Sequence, residues 1–159
     1  AARNLDASRD QSGPLVYLSY SRSEAGHVAE RLHDSLVRRL GQDAVWSDVT
    51  LSAGTSLGNE IRGAIGSCKV LVVILTRDLF QRDESFQLLE IQTALDAGKP
   101  IIPILLDDVT MPAADDLPPA LRPLVQYQAF ALRSQRMEAD LEDLTDAIVR
   151  AVGRQGVAR

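Results

Sequence analysis

Lys69-Val70-Leu71-Val72-Val73-Ile74-Leu75 opens on a lysine and then offers no polar face. A half-buried strand alternates apolar and polar residues. A strand covered on both sides reads as a continuous apolar run, the mark of the centre of a parallel sheet. A second such run, Pro100–Leu106, follows. Between the two, Glu84–Ala97 carries Leu88, Ile91 and Leu95 at helical spacing toward the core, with Gly98 as a stop. Strand, helix, strand is the repeating unit of a parallel α/β sheet.

Outward from this unit the alternation continues. Toward the N-terminus, Leu15–Tyr20 reads as a strand. Glu24–Leu40 reads as a helix, with Val28, Leu32, Leu36 and Leu40 four residues apart and Gly41 ending it. Ala44–Asp48 is a second strand. A loop, Val49–Thr55, contains Ala53-Gly54, and a helix from about Ser56 to Ser67 has Leu57, Ile61, Ile65 and Cys68 on its apolar side. Toward the C-terminus, Pro112, Pro118, Pro119 and Pro123 mark an irregular stretch. Leu124–Phe130 alternates as an edge strand does, and Met137–Val152 carries the stripe Met137, Leu141, Leu144, Ile148 and Val152. Five strands separated by helices predict an α/β fold: a flavodoxin-like, doubly wound, five-stranded parallel sheet flanked by helices. Residues 1–13, polar and aperiodic, read as a flexible linker, 14–153 as the single domain and 154–159 as a C-terminal tail. The first residue is not Met, which suggests a piece cut from a longer protein.

Composition narrows the function. The 159 residues, 45% hydrophobic and 25% charged, suffice for one buried core and not for two ordinary domains. A net charge of −5 argues against nucleic-acid binding, which shows itself as a basic stripe or patch. Of 17 basic residues only Lys69 and Lys99 are lysine, a bias that suggests a GC-rich bacterial genome. No apolar run approaches the ~20 residues that span a bilayer and no signal pattern opens the chain, so a cytoplasmic protein without a membrane partner is expected. Cys68 is alone and falls on the apolar side of a helix, where a buried thiol is expected. With only His27 and His33, both on the polar part of a helix, no metal site is expected.

The ligand position is the end of the first strand. Ser19-Tyr20-Ser21-Arg22-Ser23-Glu24 sets hydroxyls and a guanidinium where an open parallel sheet binds ligands, beyond the carboxyl ends of its strands and beside a helix N-terminus.

Val16-Tyr17-Leu18-Ser19-Tyr20-Ser21-Arg22 resembles the first box of the Toll/interleukin-1 receptor (TIR) domain, where a strand ends in a Ser-Tyr-Ser-type run. Val45-Trp46-Ser47-Asp48 followed by Leu51-Ser52-Ala53-Gly54 resembles its second strand and long loop. Ser67–Thr76 resembles its third strand, and Ser85-Phe86-Gln87-Leu88-Leu89-Glu90-Ile91 the helix that follows. The resemblance covers Pro14 to about Val152. It implies NAD+ as a substrate rather than a cofactor, because many TIR domains of bacteria, plants and one animal neuronal protein cleave NAD+ with a glutamate on that helix. By position this is Glu90. The family usually carries an aromatic residue one turn earlier, often Trp followed by Cys; here Phe86 and Gln87 stand in those places.

The chemistry suits one carboxylate. Nicotinamide leaves a cationic precursor as a neutral group, so no general acid is needed. The transition state resembles the oxocarbenium ion of glycoside cleavage, which a carboxylate beside the ribose stabilises. Phe86 and Glu90, at i and i+4, share a helix face, and Phe86 can present its ring to nicotinamide or sugar. The plain alternatives are an exposed, solvated acid for Glu90 and packing for Phe86.

As substrate-binding candidates the resemblance adds Tyr20, Ser21, Arg22, Asp48, Gly54 and Ser85. Arg22 can hold diphosphate oxygens bidentately or pair locally with Glu24. Tyr20 can anchor its loop, Asp48 can bind a ribose hydroxyl or cap a turn, and Gly54 can supply a backbone conformation closed to other residues. Trp46 is expected in the core.

The resemblance also implies other TIR domains as partners. In relatives the loop after the second strand docks on a neighbouring domain and completes the pocket from two subunits, so isolated domains are often weak enzymes; in this chain, pairing through Leu51–Gly58 and neighbouring helices is implied. A regulatory domain elsewhere in a longer chain, and antiphage defence through NAD+ depletion or a cyclic ADP-ribose signal, are implied likewise. The alternative is a non-catalytic TIR module for protein–protein signalling. A phosphorylated receiver domain would want an acidic pair after the first strand and an Asp after the third, where this chain has Ser-Tyr-Ser and Thr76-Arg77. A nucleoside deoxyribosyltransferase relative shares the sheet and a glutamate; Ala53-Gly54 favours TIR.

Overall fold

Strand and helix alternate along the chain as β1 (Val16–Ser19), α1 (Arg22–Leu40), β2 (Val45–Trp46), α2 (Leu57–Ser67), β3 (Val70–Leu75), α3 (Phe86–Asp96), β4 (Ile101–Leu106), β5 (Phe130–Leu132) and α4 (Met137–Val157). This computed structural model describes residues 14–47, 57–77, 79, 86–107 and 109–157; for Arg22, Ser23, Leu57, Phe86 and residues 154–157 it describes the backbone alone. The linker read at 1–13 lies outside the described residues.

The five strands form one sheet in the order β2-β1-β3-β4-β5, every pair parallel. This is the doubly wound α/β sheet that the sequence predicts. All six residues of β3 are buried, as its unbroken apolar run requires. Alternate side chains enter two cores. Val16, Leu18, Val72 and Ile74 pack on one side with Leu32 and Leu36 of α1 and Leu144 and Ile148 of α4. Tyr17, Leu71, Val73 and Leu75 pack on the other with Ile61 and Ile65 of α2 and Ile91 and Ala94 of α3. Each buried aliphatic side chain contributes roughly 1.5–3 kcal/mol, so these two layers are the main source of stability. Gly41 (φ 105°) and Gly98 (φ 67°) end α1 and α3 in backbone conformations that favour glycine, where the sequence places the stops.

The edge strand is displaced from its expected place. Pro119–Gln126 is a 3-10 helix and β5 begins only at Phe130. Pro119 starts that helix with its fixed φ, and Leu121 and Leu124, three apart, eclipse one another and are both buried. Of the apparently alternating residues, Val125 lies in that helix, Tyr127 caps it and Ala129 follows just before β5. The last helix also runs past Val152 to Val157, through four of the residues read as a tail.

The register positions the site. Tyr17 pairs with Trp46 and Ser19 with Val73, while β3 continues to Leu75 beside Leu105. β1 and β2 therefore stop short of β3 and β4. The chain leaves β1 toward β2 on one side and returns to β3 on the other, the reversal at which doubly wound sheets open a crevice.

Candidate active site at the β1/β3 switch point

Ser19 ends β1 on the side that faces α3, and it is fully buried. A hydroxyl there needs an acceptor, since leaving it unmatched costs roughly 1–3 kcal/mol. Its Oγ donates to Oε1 of Glu90 at 2.8 Å. Glu90 is only 2% exposed. A carboxylate withdrawn from water to this degree is several kcal/mol unfavourable unless donors and charges around it compensate.

The buried stripe of α3 consists of Gln87, Glu90, Ile91 and Ala94, at positions i, i+3, i+4 and i+7. Half of it is polar. Leu88 and Leu95, expected at the core, are only half-buried and pack at its margin. Gln87 extends its amide to the end of β3, where Nε2 donates to the Ile74 carbonyl at 3.1 Å. The first turn of α3 is thus tied to the same strand whose register fixes Ser19. The plain alternative for Glu90, a solvated acid on an exposed face, is overturned by this burial.

The other candidates scatter around this pair. Ser21 is the N-cap of α1, and its carbonyl accepts the Ala25 N–H at 2.8 Å. Arg22 and Phe86 open their helices, with backbone alone described. Asp48, Gly54 and Ser85 lie outside the described residues. Tyr20 is half-buried against the α1/α4 core, across the sheet from Glu90. There it borders a cleft of about 490 Å³ with Leu18, Glu30, His33, Asp34 and Ser47, on the opposite face of the sheet from the Ser19–Glu90 pair. Trp46 is half-buried rather than central and stacks on Tyr17 with ring centroids 6.3 Å apart.

Ser19 and Gln87 are the two residues at the candidate site that the sequence presents only as parts of a motif, the Ser-Tyr-Ser strand end and the Phe86-Gln87 pair, and not as site residues. Their signal was a polar residue at an inward strand position and a second polar residue on a helix stripe with Ile91 and Ala94. Cys68 is buried as expected, and desolvation pushes its thiol up to about 11 against the pull of nearby Lys99. Among the described residues no three His, Cys, Asp or Glu side chains are grouped to hold a metal, and no helix is long and apolar enough to cross a membrane.

Among solved structures, the chain is similar to the TIR domains of the activated Roq1 resistosome, which directly recognises the pathogen effector XopQ. The TM-score is 0.56 at 17% identity, over 90% of this chain and 81% of that one. It is similar to a metazoan TIR-STING receptor from C. gigas in complex with 2′,3′-cGAMP, with a TM-score of 0.59 at 21% identity over 89% of this chain. The chain spans 42% of that receptor. At these identities the likeness is one of fold. A search of curated protein sequences gives no match. The TIR-domain family profile matches residues 16–146, from the first residue of β1 into the last helix and across both halves of the Ser19–Glu90 pair. Profile, sheet order and Ser-Tyr-Ser strand end agree, and the chain belongs to the TIR-domain family.

Proposed function

We propose that this TIR domain is an NAD+ glycohydrolase in which Glu90 is the catalytic carboxylate. The observation that carries the reading is the placement of one buried, hydrogen-bonded glutamate at the β1/β3 switch point. With nicotinamide leaving as a neutral group, the carboxylate has one task, to stabilise positive charge growing on the ribose. A preformed negative group in a water-poor site does this without reorganisation. The products are nicotinamide and ADP-ribose or a cyclic variant. NAD+ enters as substrate, and no bound cofactor or metal takes part.

Self-assembly activates the enzyme in this reading. Glu90 is only 2% exposed in the single chain, which supports a reading in which docking of a second TIR domain opens or completes the pocket. Tyr20, Ser21, Arg22, Asp48, Gly54, Ser85 and Phe86 are proposed around the substrate, Tyr20 through its loop. A regulatory domain elsewhere in a longer cytoplasmic protein would drive assembly, and NAD+ depletion in bacterial antiphage defence is the proposed setting.

The same burial favours a second reading, a non-catalytic TIR module in which Glu90 only satisfies Ser19. Nicotinamide release from NAD+ by the domain clustered at high density, beside Glu90→Ala, separates the two. Turnover that disappears in the variant supports the enzyme. Its absence from the clustered wild type leaves the signalling module.

A further inference from the structure

We propose that Ser19 is the positioning residue of the site, its hydroxyl fixing the orientation of the Glu90 carboxylate toward the ribose. This rests on the reading of Glu90 as the NAD+-cleaving group.

Ser19 is out of character for its place. The residues before it, Val16, Tyr17 and Leu18, are those that a buried strand favours, and a valine at position 19 would suit both strand propensity and apolar surroundings. Serine instead brings a hydroxyl that demands a partner in the interior. The partner is on α3, 71 positions away.

The two side chains differ in freedom. Glutamate reaches its carboxylate through three rotatable bonds and loses much rotamer entropy when held; serine has a single rotor on a backbone locked in register with Val73. A donor on the stiff partner therefore sets the orientation of the flexible one. Gln87 removes the remaining freedom, since its bond to the Ile74 carbonyl ties the helix itself to β3. Strand register, helix and carboxylate are all referred to one strand. An oxocarbenium-like transition state profits from that arrangement, because a charge already in place stabilises it most.

The test uses a pair of equal shape. Ser19→Thr keeps the hydroxyl and Ser19→Val replaces it by a methyl group. Both are assayed as the clustered domain, with Glu90→Gln as the control for the underlying reading. Loss of orientation lowers kcat by about 10- to 100-fold in Ser19→Val with KM within about twofold, and Ser19→Thr restores kcat to within about threefold of wild type. Ser19→Ala repeats the comparison without added bulk should the larger residues fail to fold. Equal kcat in the Thr and Val variants overturns the proposal, as does an effect confined to KM.

A second readout does not depend on turnover. In protein labelled with 13C-glutamate, the Glu90 side-chain carboxyl resonance, assigned by its absence from Glu90→Gln, moves in Ser19→Val and not in Ser19→Thr. An unmoved resonance overturns the positioning role. If clustered wild type releases no nicotinamide, or Glu90→Gln remains active, the glycohydrolase reading fails while the resonance still decides whether Ser19 orients Glu90.

Discussion

Ser19 and Glu90, 71 positions apart, meet through a 2.8 Å hydrogen bond that joins the end of the first strand to the second turn of α3. The bond depends on β3 lying beside β1, because α3 follows β3 in the chain and packs beside that strand pair. The candidate chemistry and the central strand pairing are therefore one long-range construction. A substitution at Glu90 is expected to touch stability as well as the proposed activity.

Glu90→Gln and Glu90→Ala separate those two roles. The glutamine carbonyl can still accept from Ser19 while the charge is lost. Alanine leaves the buried Ser19 hydroxyl unmatched, a cost of about 1–3 kcal/mol. We expect neither variant to release nicotinamide and only the alanine variant to show a lowered urea midpoint. Equal midpoints would mean that the hydroxyl finds another acceptor.

Gln87→Leu keeps most of the side-chain volume and removes the donor to the Ile74 carbonyl. An interior carbonyl left without that partner makes the variant less stable by about 1–3 kcal/mol in chemical denaturation. Gln87→Glu is expected to be worse, since it sets a second carboxylate three residues from Glu90 on the same buried stripe. A leucine variant as stable as wild type would show that the amide contributes nothing to holding α3 on β3.

Much of the fold was legible because burial and pattern coincide. Val70–Leu75 is apolar throughout and buried throughout, and Gly41 and Gly98 stop helices where the periodicity ends. The edge was misread where two periods overlap. Leu121, Leu124 and Tyr127 recur every three residues, as a 3-10 helix requires, while Val125, Tyr127 and Ala129 imitate a strand. The prolines at 118, 119 and 123 were the signal in favour of the former. At the candidate site, family position is what points to Glu90. Its burial was not foreseeable, because helical spacing assigned the core face to Leu88 and Leu95, and the Ser19 contact lies beyond any local pattern.

Cys68 provides an alkaline probe. Burial holds its thiol up to about 11, above the unfolded value of about 8.5. The unfolded chain thus gives up its proton first, so the stabilisation is complete below pH ~8.5 and is lost as pH rises through the folded value. The loss is on the order of 2–3 kcal/mol by pH 11, and Cys68→Ala flattens that part of the stability curve. Iodoacetamide at pH 8 is expected to label the native thiol only at the rate of unfolding. Rapid native labelling would contradict the burial.

Asp107 and Asp140 give the acid limb. Asp107 turns the chain after β4 with φ 35°, and its carboxylate accepts from the Ser134 hydroxyl at 2.6 Å and the Ser134 N–H at 2.8 Å. These bonds, the hydroxyl's first, hold Asp107 below the ordinary carboxylate value. Asp140, in the first turn of α4, is likewise held low by the Arg133 side chain and then by the Arg133 N–H at 3.0 Å. Adjacent residues are thereby clamped to two elements, Arg133 to the start of α4 and Ser134 to the end of β4. Unfolded aspartates protonate near pH 3.9, ahead of the folded ones. Between that pH and the lower folded values the unfolded state binds more protons, so stability is present above about pH 4 and is lost as pH falls through the folded values. Asparagine at either position tolerates the backbone and removes the titrating charge. We expect the urea midpoint of Asp107→Asn/Asp140→Asn to lie below wild type at pH 7 and to converge with it toward pH 2. Parallel curves over that range would show that the acid sensitivity of this domain arises elsewhere.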